Sequence, residues 1–143
     1  MPFDLERFVE GQRGSYDDAL GELRAGHKRR HWMWWVFPQL AGLGRSEMAR
    51  HYGIASLDQA RAYLAHPVLG PRLLECVVAV LAAPGASAES MLGAVDAMKL
   101  QSSMTLFHRA APDEPLFAEA LDRFYAGVPD DRTETMLGMQ QRS

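Results

Sequence analysis

The chain has 143 residues, of which 48% are hydrophobic and 23% charged, and its formal net charge is −3. Those values exclude a disordered chain, and the acidic balance argues against nucleic acid as a partner, because that affinity rests on phosphate neutralisation by excess Lys and Arg. A single cysteine, Cys76, excludes an internal disulfide and a cysteine-rich zinc site, and in the run Leu73-Leu74-Glu75-Cys76-Val77-Val78 it reads as a small buried hydrophobe.

The segment from Met1 to Arg7 has neither the basic nor the apolar region of a signal peptide. No apolar stretch approaches the roughly 18 residues that a membrane span needs. The expectation is a cytoplasmic protein with no membrane partner. Asp4 can cap a first short helix carrying Leu5, Phe8 and Val9, broken by Gly11 and Gly14. Ser15 is placed to cap a second, whose Tyr16, Ala19, Leu20 and Leu23 share one face and which Gly26 ends. The stretch Trp32-Met33-Trp34-Trp35-Val36-Phe37-Pro38 has neither helix nor strand period, and reads as a buried strand or an irregular core segment.

Ser46 can cap a short helix that Gly53 stops, and Ser56 the next, which Ala65-His66-Pro67 ends. Pro71 suits the first turn of a longer helix with Leu73, Leu74, Val77, Val78 and Leu81, terminated by Pro84-Gly85. Ser87 caps a short turn through Met91-Leu92. A helix follows from about Asp96 to Ala110, then one from Pro115, then a turn at Gly127-Val128-Pro129. Asp131 is placed to cap a last helix ending near Gln140. The sum is an all-α fold, one irregular bundle of about seven to nine short helices around a buried aromatic segment, with residues 1–143 as a single domain.

Two stretches can carry chemistry. Three tryptophans within His31-Trp32-Met33-Trp34-Trp35-Val36-Phe37-Pro38-Gln39 form either a core plug or a stacking wall for a flat ring. In the second case Trp32, Trp34 and Phe37 are the wall and His31 and Gln39 its polar rim. The preceding Lys28-Arg29-Arg30 is either a solvated turn or an anion holder. In the later helix, Lys99, Ser102, Ser103 and Leu106 share one face, with Asp96 one turn before the lysine. That face is either an anion cradle with a usable amine, or a structural patch in which Asp96 pairs with Lys99 and the serines bond back into the helix. Met98, Met104 and Phe107 then make a separate core face. His27 and His31 stand four apart, but no carboxylate completes a metal set, so neither a metal site nor a cofactor is expected.

The stretches His31-Trp32-Met33-Trp34, Phe37-Pro38-Gln39-Leu40, Gly42-Leu43-Gly44-Arg45-Ser46 and Tyr52-Gly53-Ile54 resemble the bacterial domain of unknown function 1810 family. The resemblance continues through Ala62–Gly70, Arg72-Leu73 and Asp96 to Lys99-Leu100-Gln101-Ser102-Ser103-Met104-Thr105-Leu106-Phe107. It implies a small all-α domain of about this length and no particular activity. Proteins of this kind have been labelled calpastatin. A calpain inhibitor of that type is disordered, repetitive and polar, which this chain is not. A slighter similarity, an early aromatic segment and a late Asp-x-x-Lys element, is to the NADAR domains, helical proteins acting on ADP-ribose-linked or related N-glycosides.

Two functions follow as expectations. The first is a pocket that binds or hydrolyses a nucleotide or ADP-ribose-like ligand, with Lys99 as amine nucleophile or electrostatic stabiliser and Asp96 or His31 as acid–base group. The second is a non-enzymatic interaction or structural module. The oligomeric state is left open, and the first function requires the tryptophans and Lys99 to meet in space.

Overall fold

The computed structural model describes residues 4–85 and 87–142; Met1–Phe3, part of the N-terminal segment considered above, lie outside them. Among the described residues there are ten helices and no strand, so the fold is all-α. They are α1 (Glu6–Gln12), α2 (Tyr16–Ala25), α3 (Met33–Val36), α4 (Glu47–His51), α5 (Leu57–Ala65), α6 (Leu69–Ala82), α7 (Ala88–Leu92), α8 (Ala94–Ala110), α9 (Pro115–Tyr125) and α10 (Asp131–Arg142). The one ladder-like contact described is an isolated parallel bridge between Leu40 and Ile54.

Most starts and stops follow local chemistry. The hydroxyls of Ser46 and Ser56 accept from the third following amide, those of Ala49 and Gln59, and Ser87 with Ser90 closes a reciprocal capping box. Gly26 ends α2 in the left-handed region at φ 73°.

Two caps and the tryptophan segment differ from expectation. Ser15 precedes α2 but does not cap it. Its hydroxyl donates to the Gly11 carbonyl at 2.7 Å and accepts from the Trp35 indole at 2.9 Å, because a half-buried indole N–H needs an acceptor. Asp130, not Asp131, caps α10, accepting from the amide and hydroxyl of Thr133. The tryptophan segment is neither strand nor coil but one helical turn, closed by Val36 and Phe37 amides on the Trp32 and Met33 carbonyls. That turn sends Trp32, Met33, Val36 and Phe37 inward while Trp34 and Trp35 stay partly exposed.

Helix α8 is the centre of the molecule, packed on α5, α7, α9 and α10. Leu100, Met104, Leu106 and Phe107 are fully buried there. Met98, expected on the core side, is 66% exposed instead. It lies nine residues before Phe107, about 2.5 helical turns, and so falls on the opposite face. Helix α6 packs on α2, α5 and α9. Its Cys76 is buried, and burial pushes the thiol up to about 12, which leaves it protonated and unreactive. No single described helix is long and apolar enough to cross a membrane. The α5–α6 pair passes that test only together, across a 90° bend, with Leu73, Cys76, Val77 and Val80 in the core.

Two glycines permit close approaches. Helix α1 runs through Gly11 rather than stopping at it, and a Cβ there would come within 2.7 Å of the Trp35 ring, so the glycine makes room for the indole. At Gly70 a Cβ would lie 2.0 Å from the Leu64 carbonyl oxygen. Gly70→Ala must therefore push α6 away from the end of α5. A loss of about 1–3 kcal/mol is expected, read as a lower midpoint in urea unfolding. An unchanged midpoint would mean that the α5–α6 corner yields without cost at this approach.

Candidate functional site

The site begins with a buried carboxylate. Glu22 sits on the edge of the apolar face of α2, in its last full turn, and is 7% exposed. Its Oε1 accepts from the backbone N–H groups of Arg29 (2.6 Å) and Arg30 (2.9 Å) and from the Trp32 indole (3.0 Å). Its Oε2 accepts from the Arg30 guanidinium at 2.8 Å. Burial alone would raise the pKa of this carboxyl. The four donors outweigh it and hold the group at about 2. The basic turn is therefore a nest already filled by the protein's own carboxylate, which takes the Arg30 guanidinium and the backbone N–H groups of Arg29 and Arg30, while the Arg29 side chain is exposed.

That anchoring leaves Lys28 pointing elsewhere. Its amide donates to the Met91 carbonyl at the end of α7 (2.8 Å), and its ammonium reaches Asp96 Oδ2 at 2.8 Å. Lys99, one turn further along α8, approaches Asp96 Oδ1 at 3.4 Å. Two lysines thus share one carboxylate, with side-chain exposures of 8% (Lys28), 17% (Asp96) and 19% (Lys99). The group carries a net positive charge in a setting where solvent screens it poorly.

Trp34 completes the cluster. The Lys99 Nζ lies 3.7 Å from the centroid of its ring, a cation–π contact worth about 0.5–2 kcal/mol. Lys28 Nζ stands 5.3 Å from the Trp32 ring centroid. The aromatic segment and the α8 lysine therefore meet, and they meet directly. On one face of Trp34, the amine occupies the place a stacked ring would take.

The remaining sequence candidates fall into two groups. Trp32 and Phe37 are in the core, their ring centroids 6.4 Å apart, and neither presents a face to solvent. The core-plug reading applies to these two, because the α3 turn directs them inward. Ser102 donates to the Met98 carbonyl at 3.1 Å, the back-bond into the helix. The Ser103 hydroxyl is fully buried and has no hydrogen-bond partner among the described residues. His31 is exposed, and Gln39 is half-buried with its carbonyl accepting from Ile54 N. Asp96, Lys99 and Trp34 stand together; His31, Gln39, Ser102 and Ser103 have no described contact with them.

Glu22 was missing from the sequence candidates. The usable signal was a carboxylate at the border of the Tyr16–Ala19–Leu20–Leu23 face, followed seven and eight residues later by the arginines it binds. Spacing alone gives Ser15 the role of a cap, whereas the fold makes it the acceptor for the Trp35 indole.

Comparison with known proteins adds a lineage but no chemistry. The family model described as "Protein of unknown function (DUF1810)" matches residues 2–137. The solved structure of the conserved hypothetical protein Rv1873 from Mycobacterium tuberculosis is similar to this chain at 51% identity. Its TM-score is 0.94, over 96% of this chain and 99% of that one. No curated protein matches.

Proposed function

We propose, from the premise that this chain belongs to the DUF1810 family of proteins of unknown function, that the Lys28–Asp96–Lys99 cluster with Trp34 binds a phosphate-bearing nucleotide or ADP-ribose-like ligand. The observation that carries the proposal is the Lys99 ammonium lying 3.7 Å from the Trp34 ring centroid while sharing Asp96 with Lys28. Two ammonium groups against one carboxylate leave charge for an incoming phosphate. A partly exposed indole beside them suits a flat base. Both contacts of Lys99 are those of an ammonium, so its electrostatic role fits better than the nucleophilic one. The first reaction to test is glycosidic hydrolysis, with Asp96, the carboxylate nearest Lys99, ahead of the exposed His31 as the acid–base group.

The expected result is a rise in melting temperature of wild-type protein with at least one of ADP-ribose, AMP, ADP and NAD. At a hundred times the dissociation constant, binding adds about 2.7 kcal/mol. Lys99→Ala should still unfold cooperatively, at a somewhat lower temperature for the lost Trp34 and Asp96 contacts, but should lose that rise. Identical responses of the two proteins to every compound would overturn the proposal.

A second reading, a non-enzymatic interaction module, draws on Val95 and Met98, which are 68% and 66% exposed on α8 on either side of Asp96. It is favoured if no compound moves the melt and Val95→Lys abolishes a self-association or capture seen with wild type.

A further inference from the structure

A polar cleft of about 420 Å³ opens where the end of α1 meets the first turns of α2 and α6. Arg72 of α6 reaches into it, with its guanidinium carbon 4.6 Å from the centroid of the Tyr16 ring. Its Nη1 donates to Gln12 Oε1 at 3.2 Å. Gln12 is itself held: buried, with Nε2 donating to the Trp35 carbonyl at 2.7 Å and the Tyr63 hydroxyl at 3.2 Å. Arg72 is therefore fixed by an amide that cannot turn away, and its stacking on Tyr16 sets the plane of the fork.

No carboxylate among the described residues forms an ion pair with that guanidinium. The acids around it are engaged otherwise. Glu75 takes the Tyr16 hydroxyl and Arg24, Glu10 takes Arg13, and Asp18 faces Arg30 at 3.7 Å. Asp17, which lines the same cleft, is exposed and has no ion-pair partner among the described residues. The cleft thus presents one fixed, uncompensated cation and one uncompensated anion, with Gly14 at its mouth leaving the space beside its Cα open.

We propose that this cleft is a binding site for a small zwitterion, a molecule carrying a carboxylate and an ammonium group, with free α-amino acids as the first class. Arg72 takes the carboxylate through its remaining N–H donors, and Asp17 takes the ammonium. Neither residue belongs to the Lys28–Asp96–Lys99 cluster, so this proposal stands or falls separately from the nucleotide one.

The test is titration of ¹⁵N-labelled protein with glycine, glutamate and lysine, and with acetate and methylamine as single-charge probes. The amides of Gly14 and Asp17 serve as reporters. At least one amino acid should give saturable shifts at both amides, and acetate or methylamine should bind about tenfold more weakly or worse. Arg72→Met should weaken binding by about ten- to a hundredfold, the scale of a lost charge-assisted hydrogen bond. Asp17→Asn changes an exposed side chain, keeps the fold testable should Arg72→Met not fold, and should weaken amino-acid binding without changing that of acetate. No saturable shift with any amino acid overturns the proposal, as does acetate binding as tightly as the amino acids or an Asp17→Asn protein that binds them unchanged.

Discussion

Trp32→Ala is expected to lower stability by about 3–5 kcal/mol, the scale for deleting a fully enclosed aromatic side chain. The ring has no exposed surface and packs beside Phe37. A second loss adds to the cavity: the indole N–H is one of the four donors holding the Glu22 carboxylate. Trp32→Phe separates the two effects, since it retains most of the volume and removes the donor. Urea unfolding followed by circular dichroism would read both variants. If Trp32→Phe matches wild type, the indole–Glu22 bond carries little, and the segment acts by packing alone. If Trp32→Ala itself costs under about 1 kcal/mol, the enclosed position described for this ring is wrong.

Glu22→Ala is expected to be nearly as damaging, at about 3–5 kcal/mol, because it orphans the Trp32 indole and the amides of Arg29 and Arg30 together. The pH dependence is the sharper signature. In the folded protein the carboxyl titrates near 2, below its ordinary value of 4.5. A depressed value means that the carboxylate's contribution is complete above about pH 4.5 and drains away as pH falls toward about 2. Wild-type stability should decline across that window, while Glu22→Gln should start lower and decline less. Parallel curves for the two proteins would show that the acid loss comes from other carboxylates. A further consequence is positional: without Glu22 the basic turn loses its anchor and Lys28 its fixed approach to Asp96. Glu22→Gln should therefore also weaken any nucleotide response, more than its effect on the melt alone predicts.

Much of the architecture was legible because helix boundaries in this chain are written in local chemistry. Ser46, Ser56 and Ser87 cap where their side chains can reach the third following amide, and Gly26 and Pro115 punctuate as their backbones dictate. Two of the failures share a cause: at Ser15 and in the 32–37 segment a distant partner decides, whereas the Asp131 cap misses locally, by one residue. The Ser15 hydroxyl answers to Trp35, Asp130 is better placed than Asp131 for the amide of Thr133, and the tryptophan turn is set by which rings the core encloses. Period analysis fails for a four-residue helix, which is barely one turn long.

The site was legible only in part, for the same reason. The Asp96–Lys99 pairing follows from a spacing of three on a helix. That Lys99 meets Trp34, 65 residues earlier in the chain, is a matter of tertiary packing that spacing does not encode. Nor could it separate Trp34 from Trp32, which differ in sequence by two positions and in surroundings by half-burial against complete enclosure. The Glu22 nest was hidden because its carboxylate and its donors lie on different elements, joined by a turn of no regular period.

Helix α8 holds Asp96 and Lys99 in its first turns while Leu100, Met104 and Phe107 are locked in the interior a turn or two later. Two of the cluster's three charged groups, Asp96 and Lys99, are thus mounted on a helix anchored in the core, and a ligand would find them pre-organised. Recognition there would cost little ordering entropy, would discriminate by fit rather than by adaptation, and would leave the backbone amide spectrum of α8 almost unmoved on saturation.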